Sequence, residues 1–327
     1  ILGRRMPIIG NFLVLPSSAR TLLHTYASGW WPSGLGHGEA APTGVALLAI
    51  GNILSLGHHG LLRLVLSIGP IVAGYIGVAH FAAVFRSDRS RVAALIAYAV
   101  NPLPYAALSA GRWGPVLVYG AFPWTIELMR RSSGIQAASA VTSSAGVEVT
   151  DAVARVGVGR RVRIVAVLAL LEAVVGAFVP SFPLIVLMAA VVLVVSTLAA
   201  RGTVESVAAL GTAVLAALVA FVMHMPWSLR FLEQGGWRDL MGNGEQFGAH
   251  GLFRLARFEL GRVTFAPLAL ALLALPIIGL LVARGWRLTW MVRSAALVLG
   301  FGALALASDS GVRLPEPGVL LVPAAMG

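Results

Sequence analysis

The residues best placed to do chemistry stand together early in the chain, in Gly29-Trp30-Trp31-Pro32-Ser33-Gly34-Leu35-Gly36-His37-Gly38-Glu39-Ala40-Ala41-Pro42. This polar, aromatic and Gly-rich stretch carries Glu39, and no other acidic residue occurs before Asp88. A carboxylate at such a place can take a proton from an acceptor hydroxyl. His37 and nearby Arg side chains can hold a phosphate leaving group. Trp30 and Trp31 either stack on a substrate ring or anchor the loop at a lipid interface. A plainer role for Glu39 is to favour the start of the next helix through its dipole. His37 and Glu39 would be two metal ligands, fewer than a metal site needs. No cofactor is therefore assigned, and a divalent metal stays open.

Later residues complete the candidate site. Asp239, Glu245 and His250 lie in 224–263, and Asp309 and Glu316 lie in the tail. Arg112, in Ala110-Gly111-Arg112-Trp113-Gly114, sits on a turn between two apolar runs. It reads as a snorkelling lipid contact or as a phosphate contact for a lipid-linked donor. Glu172 falls inside an apolar run, where a carboxylate is a functional candidate by default; pairing with Arg293 is the favoured alternative. Glu127 beside Arg130 and Arg131 reads as a local ion pair.

The elements that must position these groups are membrane helices. Hydrophobic residues make up 58% of the 327 positions and charged residues 11%, with a mean hydropathy of +0.87. Soluble domains carry about 25% charged residues. The net charge of +11 comes from Arg alone, since the chain has no Lys. The Arg residues sit between apolar runs, which points to membrane orientation and away from nucleic acid. The chain has no Cys, which excludes disulfides and thiol chemistry. Ile1 and the apolar stretch ending at Gly327 read as part of a longer protein.

The expected fold class is all-α and polytopic, with about eight spans: Leu61–Phe85, Val92–Ala110, Pro115–Met129, Ile164–Val179, Phe182–Ala200, Glu205–Met223, Thr264–Ala283 and Leu288–Ala307. The second is broken by Asn101-Pro102-Leu103-Pro104. Pro42–Gly57 is too short to cross and suits an interfacial helix. The chain divides into 1–60 (outer loop with the short helix), 61–131 (three spans), 132–163 (a mobile or loosely helical inner loop), 164–223 (three spans), 224–263 (outer loop with an amphipathic pattern near 252–258) and 264–327 (two spans and an outer tail). Placing the short Arg-rich connectors around Arg86–Arg91, Arg130–Arg163, Arg201 and Arg284–Arg287 inside puts 1–60, 224–263 and the tail outside. Segments 20–42, 225–262 and 308–317 would then meet over one face. The expected location is the plasma membrane.

Three pieces carry a resemblance: Tyr26-Ala27-Ser28-Gly29-Trp30 with Gly34-Leu35-Gly36, Glu39-Ala40-Ala41-Pro42, and Ala110-Gly111-Arg112. With the order of elements over 20–131, they resemble the GT-C class of integral membrane glycosyltransferases. More narrowly, they look like the membrane modules of large actinobacterial proteins fused behind family-2 glycosyltransferase domains. The resemblance implies a GT-C-like fold and Glu39 as base toward the acceptor, although many members carry a pair of acidic residues there. On this reading Arg112 and Arg63 contact the phosphate of a polyprenyl-phosphate sugar, and 225–262, with Asp239 and Glu245, covers the acceptor. Implied partners are the lipid-linked donor, membrane lipids, a glycan or lipid acceptor and a fused or associated cytoplasmic transferase domain. The rivals are a flippase for lipid-linked sugars and a non-catalytic scaffold.

Overall fold

Long apolar runs free of interior charge give long helices, because a helix satisfies its own backbone where no water is present. The computed structural model describes residues 18–31, 37–85, 87–134, 139–143, 146–150, 156–199, 207–242, 251–260 and 266–327. Before the first long helix come α1 (Ala19–Ser28), a ribbon of β1 (Trp30–Trp31) and β2 (His37–Gly38), and α2 (Thr43–Leu54). Next are α3 (His59–Ala82), α4 (Asp88–Val100), α5 (Pro102–Ser109) and α6 (Trp113–Ser132). A second ribbon, β3 (Ser139–Ser143) with β4 (Gly146–Thr150), precedes α7 (Val158–Gly176), α8 (Phe182–Ala199) and α9 (Val207–Met223). A 3-10 turn at Trp227–Leu232 leads to α10 (Gly236–Met241), α11 (Gly251–Ala256), α12 (Ala266–Val282), α13 (Trp286–Asp309) and α14 (Pro317–Met326).

The fold class is all-α apart from these two short ribbons. Four helical stretches among the described residues are long and apolar enough to cross a membrane: His59–Ala82, Asp88–Ser109, Phe182–Ala199 and Arg287–Asp309. The other expected spans differ for physical reasons. Helix α6 ends in Arg130 and Arg131, and α7 begins with Arg160, Arg161 and Arg163. Helices α9 and α12 have 17 residues each, a rise of about 26 Å. The expected span ends Glu205 and Thr264 lie outside the described residues. Apolar side chains such as Val65, Ile68, Val72, Val195, Leu218 and Leu275 face outward. Such an exposed apolar surface suits lipid rather than water.

The break in the second span is built by Asn101. Its Oδ1 accepts from the Leu103 N–H at 3.0 Å, which caps α5, and Pro102 begins the new helix where its missing N–H costs nothing. Its Nδ2 donates to the Ala325 carbonyl at 2.9 Å, which ties the break to α14. The last helix packs inside the molecule: Gly318 to Ala324 are buried, within or against the main apolar core. The stretch 132–163, expected to be mobile or loosely helical, holds two strands among its described residues. Ser139 pairs with Thr150 and Ser143 with Gly146 in an antiparallel ribbon. Val141, Val147 and Val149 with Thr142 explain this, since β-branched residues favour strands.

Helices α3 and α6 pack closely and run parallel. The Trp113 indole N–H donates to the Leu66 carbonyl at 2.6 Å, and that of Trp124 donates to the Ala73 carbonyl at 2.8 Å. Between these bonds Gly120 meets the Pro70 backbone, an approach that a Cβ would block. The same contacts sort the helix ends. The starts of α2 and α6 lie with the ends of α7 and α9: Trp113 packs on Phe178, and the His224 Nδ1 meets the Thr43 hydroxyl at 3.0 Å. Arg130, Arg131 and the first turn of α7 lie at the opposite end.

Candidate functional site

The first polar segment is folded back on itself. Helix α1 stops at Gly29, which takes φ 62° at the C-cap, a conformation glycine adopts without a Cβ penalty. The ribbon then sets Trp30 opposite Gly38 and Trp31 opposite His37. It closes with the Glu39 N–H donating to the Gly29 carbonyl at 2.7 Å. This fixes the backbone of Glu39 three residues ahead of Pro42, the N-cap of α2, which receives no side-chain cap. Glu39 does not cap that helix. Its carboxylate pairs with Arg230 of the 3-10 turn.

The same guanidinium nitrogen of Arg230 lies 3.4 Å from Asp239 Oδ2. One cation thus bridges two carboxylates 200 positions apart in the chain (Glu39 and Asp239). Gly236 makes this possible: a Cβ there would run into the Arg230 carbonyl and the Phe231 backbone, so α10 could not close onto the turn. The tail also reaches these segments. The Trp237 indole donates to the Arg313 carbonyl at 3.3 Å, and Asp309 Oδ2 accepts from the Gly251 N–H at 2.8 Å. The expectation that segments 20–42, 225–262 and 308–317 meet is met by these contacts.

A second charged pair lies at the start of α6. Arg112 is buried, and its Nη1 stands 3.3 Å from Glu316 Oε1, at the N-cap of α14. Burial pushes the Arg112 guanidinium below its usual range, against the opposing pull of Glu316 and Asp309. Burial likewise raises the Glu316 carboxyl, and Arg112 works against that shift. Each charge is thus costly alone and held by the other. Arg112 is not a snorkelling side chain open to headgroups, as one expectation had it. It is locked to the tail.

Other expected residues fall elsewhere. The Trp30 ring is exposed, whereas Trp227 is buried edge-on to His224 and Phe231. Arg63 lies near the start of α3, and no ion pair joins it to either cluster among the described residues; its Nε is buried without a hydrogen-bond partner. Glu245 and His250 lie outside the described residues. In the amphipathic piece Leu255 and Phe258 are buried, but Leu252 points outward. Glu127 forms the expected ion pairs, with Arg130 at 2.7 Å and Arg131 at 2.6 Å. Glu172 does not pair with Arg293. The Arg293 Nε donates to the Thr197 hydroxyl at 3.0 Å and its guanidinium lies over Trp290, whereas both Glu172 oxygens are buried without a hydrogen-bond partner.

Two features escaped the sequence: Arg230 as the bridge and Glu316 as the mate of Arg112. A signal for Arg230 existed in its placement nine residues before Asp239, within one short polar loop. None existed for Glu316, because its mate is 204 positions away in the chain. No group of three or more His, Asp or Glu able to hold a metal occurs among the described residues. No family model, curated protein or solved structure matched the chain on comparison.

Proposed function

We propose that the protein is a multi-pass membrane glycosyltransferase module with a GT-C-like, roughly eight-span fold. It would move a sugar from a polyprenyl-phosphate donor to a cell-envelope acceptor, with the Glu39 end at the outer face of the plasma membrane. The observation that carries this reading is the bridge of Glu39, Arg230 and Asp239, which gathers proton-accepting and phosphate-binding groups from distant segments at one end of the helices. In the proposed reaction the Glu39 carboxylate takes the acceptor hydroxyl proton. The oxygen bonds to the anomeric carbon as the bond from that carbon to the phosphate oxygen breaks, and polyprenyl phosphate leaves with the electron pair. A phosphate competes well for a guanidinium, so an arriving donor would draw Arg230 from Glu39 and free the base. A cytoplasmic transferase domain, fused or associated, would sit at the Arg-rich end.

The test is transfer from a panel of polyprenyl-phosphate sugars with labelled sugar, in membranes holding matched amounts of protein. Glu39→Gln is expected to abolish transfer without lowering expression; unchanged transfer removes Glu39 as the base.

A second reading, a flippase for lipid-linked sugars, is favoured by one observation. Glu172 is a buried carboxylate without a hydrogen-bond partner among the described residues, and transporters keep such groups and broken helices near mid-membrane. Under that reading, movement of a labelled lipid-linked sugar across vesicles survives Glu39→Gln and fails in Glu172→Gln.

A further inference from the structure

A cavity of about 810 Å³ opens between α6 and α7, with α3 as its third wall. It lies within the roughly 300–1,000 Å³ typical of ligand clefts. Its lining follows one face of each helix. On α7 the face runs through Arg160, Arg163, Val167, Leu171 and Val174, at the spacing that keeps side chains in line. From Gly159 to Val175 this is a path of about 24 Å. That exceeds half of a hydrocarbon core about 30 Å thick, the depth of one leaflet.

Polarity is segregated along this path. The charged lining residues are Glu127, Arg131, Arg160 and Arg163, all at the end where α6 finishes and α7 begins. The rest of the lining is apolar or Gly, apart from Trp124, whose N–H is already bonded to Ala73. Arg131 is bound to Glu127, but Arg160 and Arg163 have no ion-pair partner among the described residues. The positive end of the α7 dipole adds to the same mouth. A groove one leaflet deep, apolar along its length and cationic at its mouth, matches a molecule with an apolar tail and an anionic head. Taking a methylene as about the size of a water molecule, ~30 Å³, the space suits roughly one and a half acyl chains. It is small for a long polyprenyl tail.

We propose that this groove is a binding site for an anionic phospholipid, with an acyl chain between α6 and α7 and the phosphate at Arg160 and Arg163. The site lies at the end opposite Glu39 and does not depend on the glycosyl-transfer reading, because its readout is lipid retention.

The test is native mass spectrometry of the intact, detergent-purified protein after mixing with phosphatidylglycerol or phosphatidylcholine of the same chains. Wild type is expected to retain phosphatidylglycerol at least about tenfold better. The double variant Arg160→Gln with Arg163→Gln is expected to lose that preference. Arg284→Gln with Arg287→Gln removes the same charge from another connector and is expected to keep it. Val167→Trp leaves every charge in place and fills the groove, so it is expected to lower retention by itself. Equal retention of the two lipids by wild type overturns the proposal, as does an equal loss in the Arg284/Arg287 variant. Retention unchanged by Val167→Trp also overturns it, since the lipid would then sit elsewhere. Full displacement of phosphatidylglycerol by an equimolar polyprenyl phosphate assigns the groove to a different lipid.

Discussion

Replacing Glu172 by Leu is expected to stabilise the protein. Glu172 has no exposed surface, and neither carboxylate oxygen has a hydrogen-bond partner among the described residues. A buried polar group left unsatisfied costs about 1–3 kcal/mol. Even buried ion pairs, whose partners offset part of the burial cost, are often replaced by apolar side chains of similar volume with no loss or with a gain of about 1–4 kcal/mol. Leu168, Ala169 and Ala173 provide an apolar setting on the same helix, and the helix stays intact because Leu is a strong helix former. The two arguments converge on a gain on the order of 2–4 kcal/mol for Glu172→Leu. Glu172→Gln keeps unsatisfied polar atoms and should gain much less. The assay is equilibrium unfolding of the purified protein in mixed micelles, titrated with a denaturing detergent and followed by tryptophan fluorescence. A loss of more than about 1 kcal/mol in Glu172→Leu would refute the reasoning, because it would mean that the carboxylate has a partner worth more than its burial costs. If the gain is seen, the native Glu172 is a sacrifice of stability of the kind that functional sites make.

Three further outcomes follow from other contacts. A double-mutant cycle on Glu39→Gln and Arg230→Gln should give a coupling of about 0.2–1 kcal/mol, because the two side chains are 27% and 28% exposed and solvent screens them; zero coupling in the unfolding assay would dissolve the bridge. Gly120→Ala places a methyl against the Pro70 backbone and should cost more than about 3 kcal/mol or abolish folding, so a variant that purifies with an unchanged midpoint would contradict the α3–α6 packing. His224 is buried, and burial holds its imidazole below the usual 6.5, so the native state binds fewer protons than the unfolded chain just below that value. Its contribution is therefore intact above pH 6.5 and falls as the pH drops through 6.5; thermal melts should show a decline that His224→Gln flattens, and parallel slopes would rule this out.

The helical class was legible because apolar runs and Arg clusters are local signals that a bilayer enforces. The break at Asn101-Pro102 was legible for the same reason: cap and Pro act within a few residues. What stayed hidden was pairing across distance. Arg112 gives no sign of a mate at Glu316, and nothing local in Asn101 announces that it meets Ala325 of the last helix. Glu172 and Arg293 looked like natural partners by charge, yet Arg293 finds a hydroxyl and an aromatic face on nearer elements. The β3–β4 ribbon was missed because its Ser and Ala residues dilute a strand signal carried by five β-branched residues. For the candidate site, Glu39 and Asp239 were visible as carboxylates in polar loops. Their junction through Arg230 depends on Gly236, whose missing side chain has no charge or pattern to announce it.

The parallel packing of α3 and α6 bears on the order in which the protein can be assembled. Pro70 reaches its contact with Gly120 only after fifty more residues have been made, which at roughly 5–20 residues per second takes about 3–10 s. During that interval the face of α3 that bears Gly74 and Gly77 has nothing to receive. Lipid or the insertion machinery must cover it until α4 and α5 have returned the chain and α6 arrives. Lengthening the connector between α3 and α4 would prolong this waiting state, and would expose the nascent protein to quality-control proteolysis in proportion to the delay.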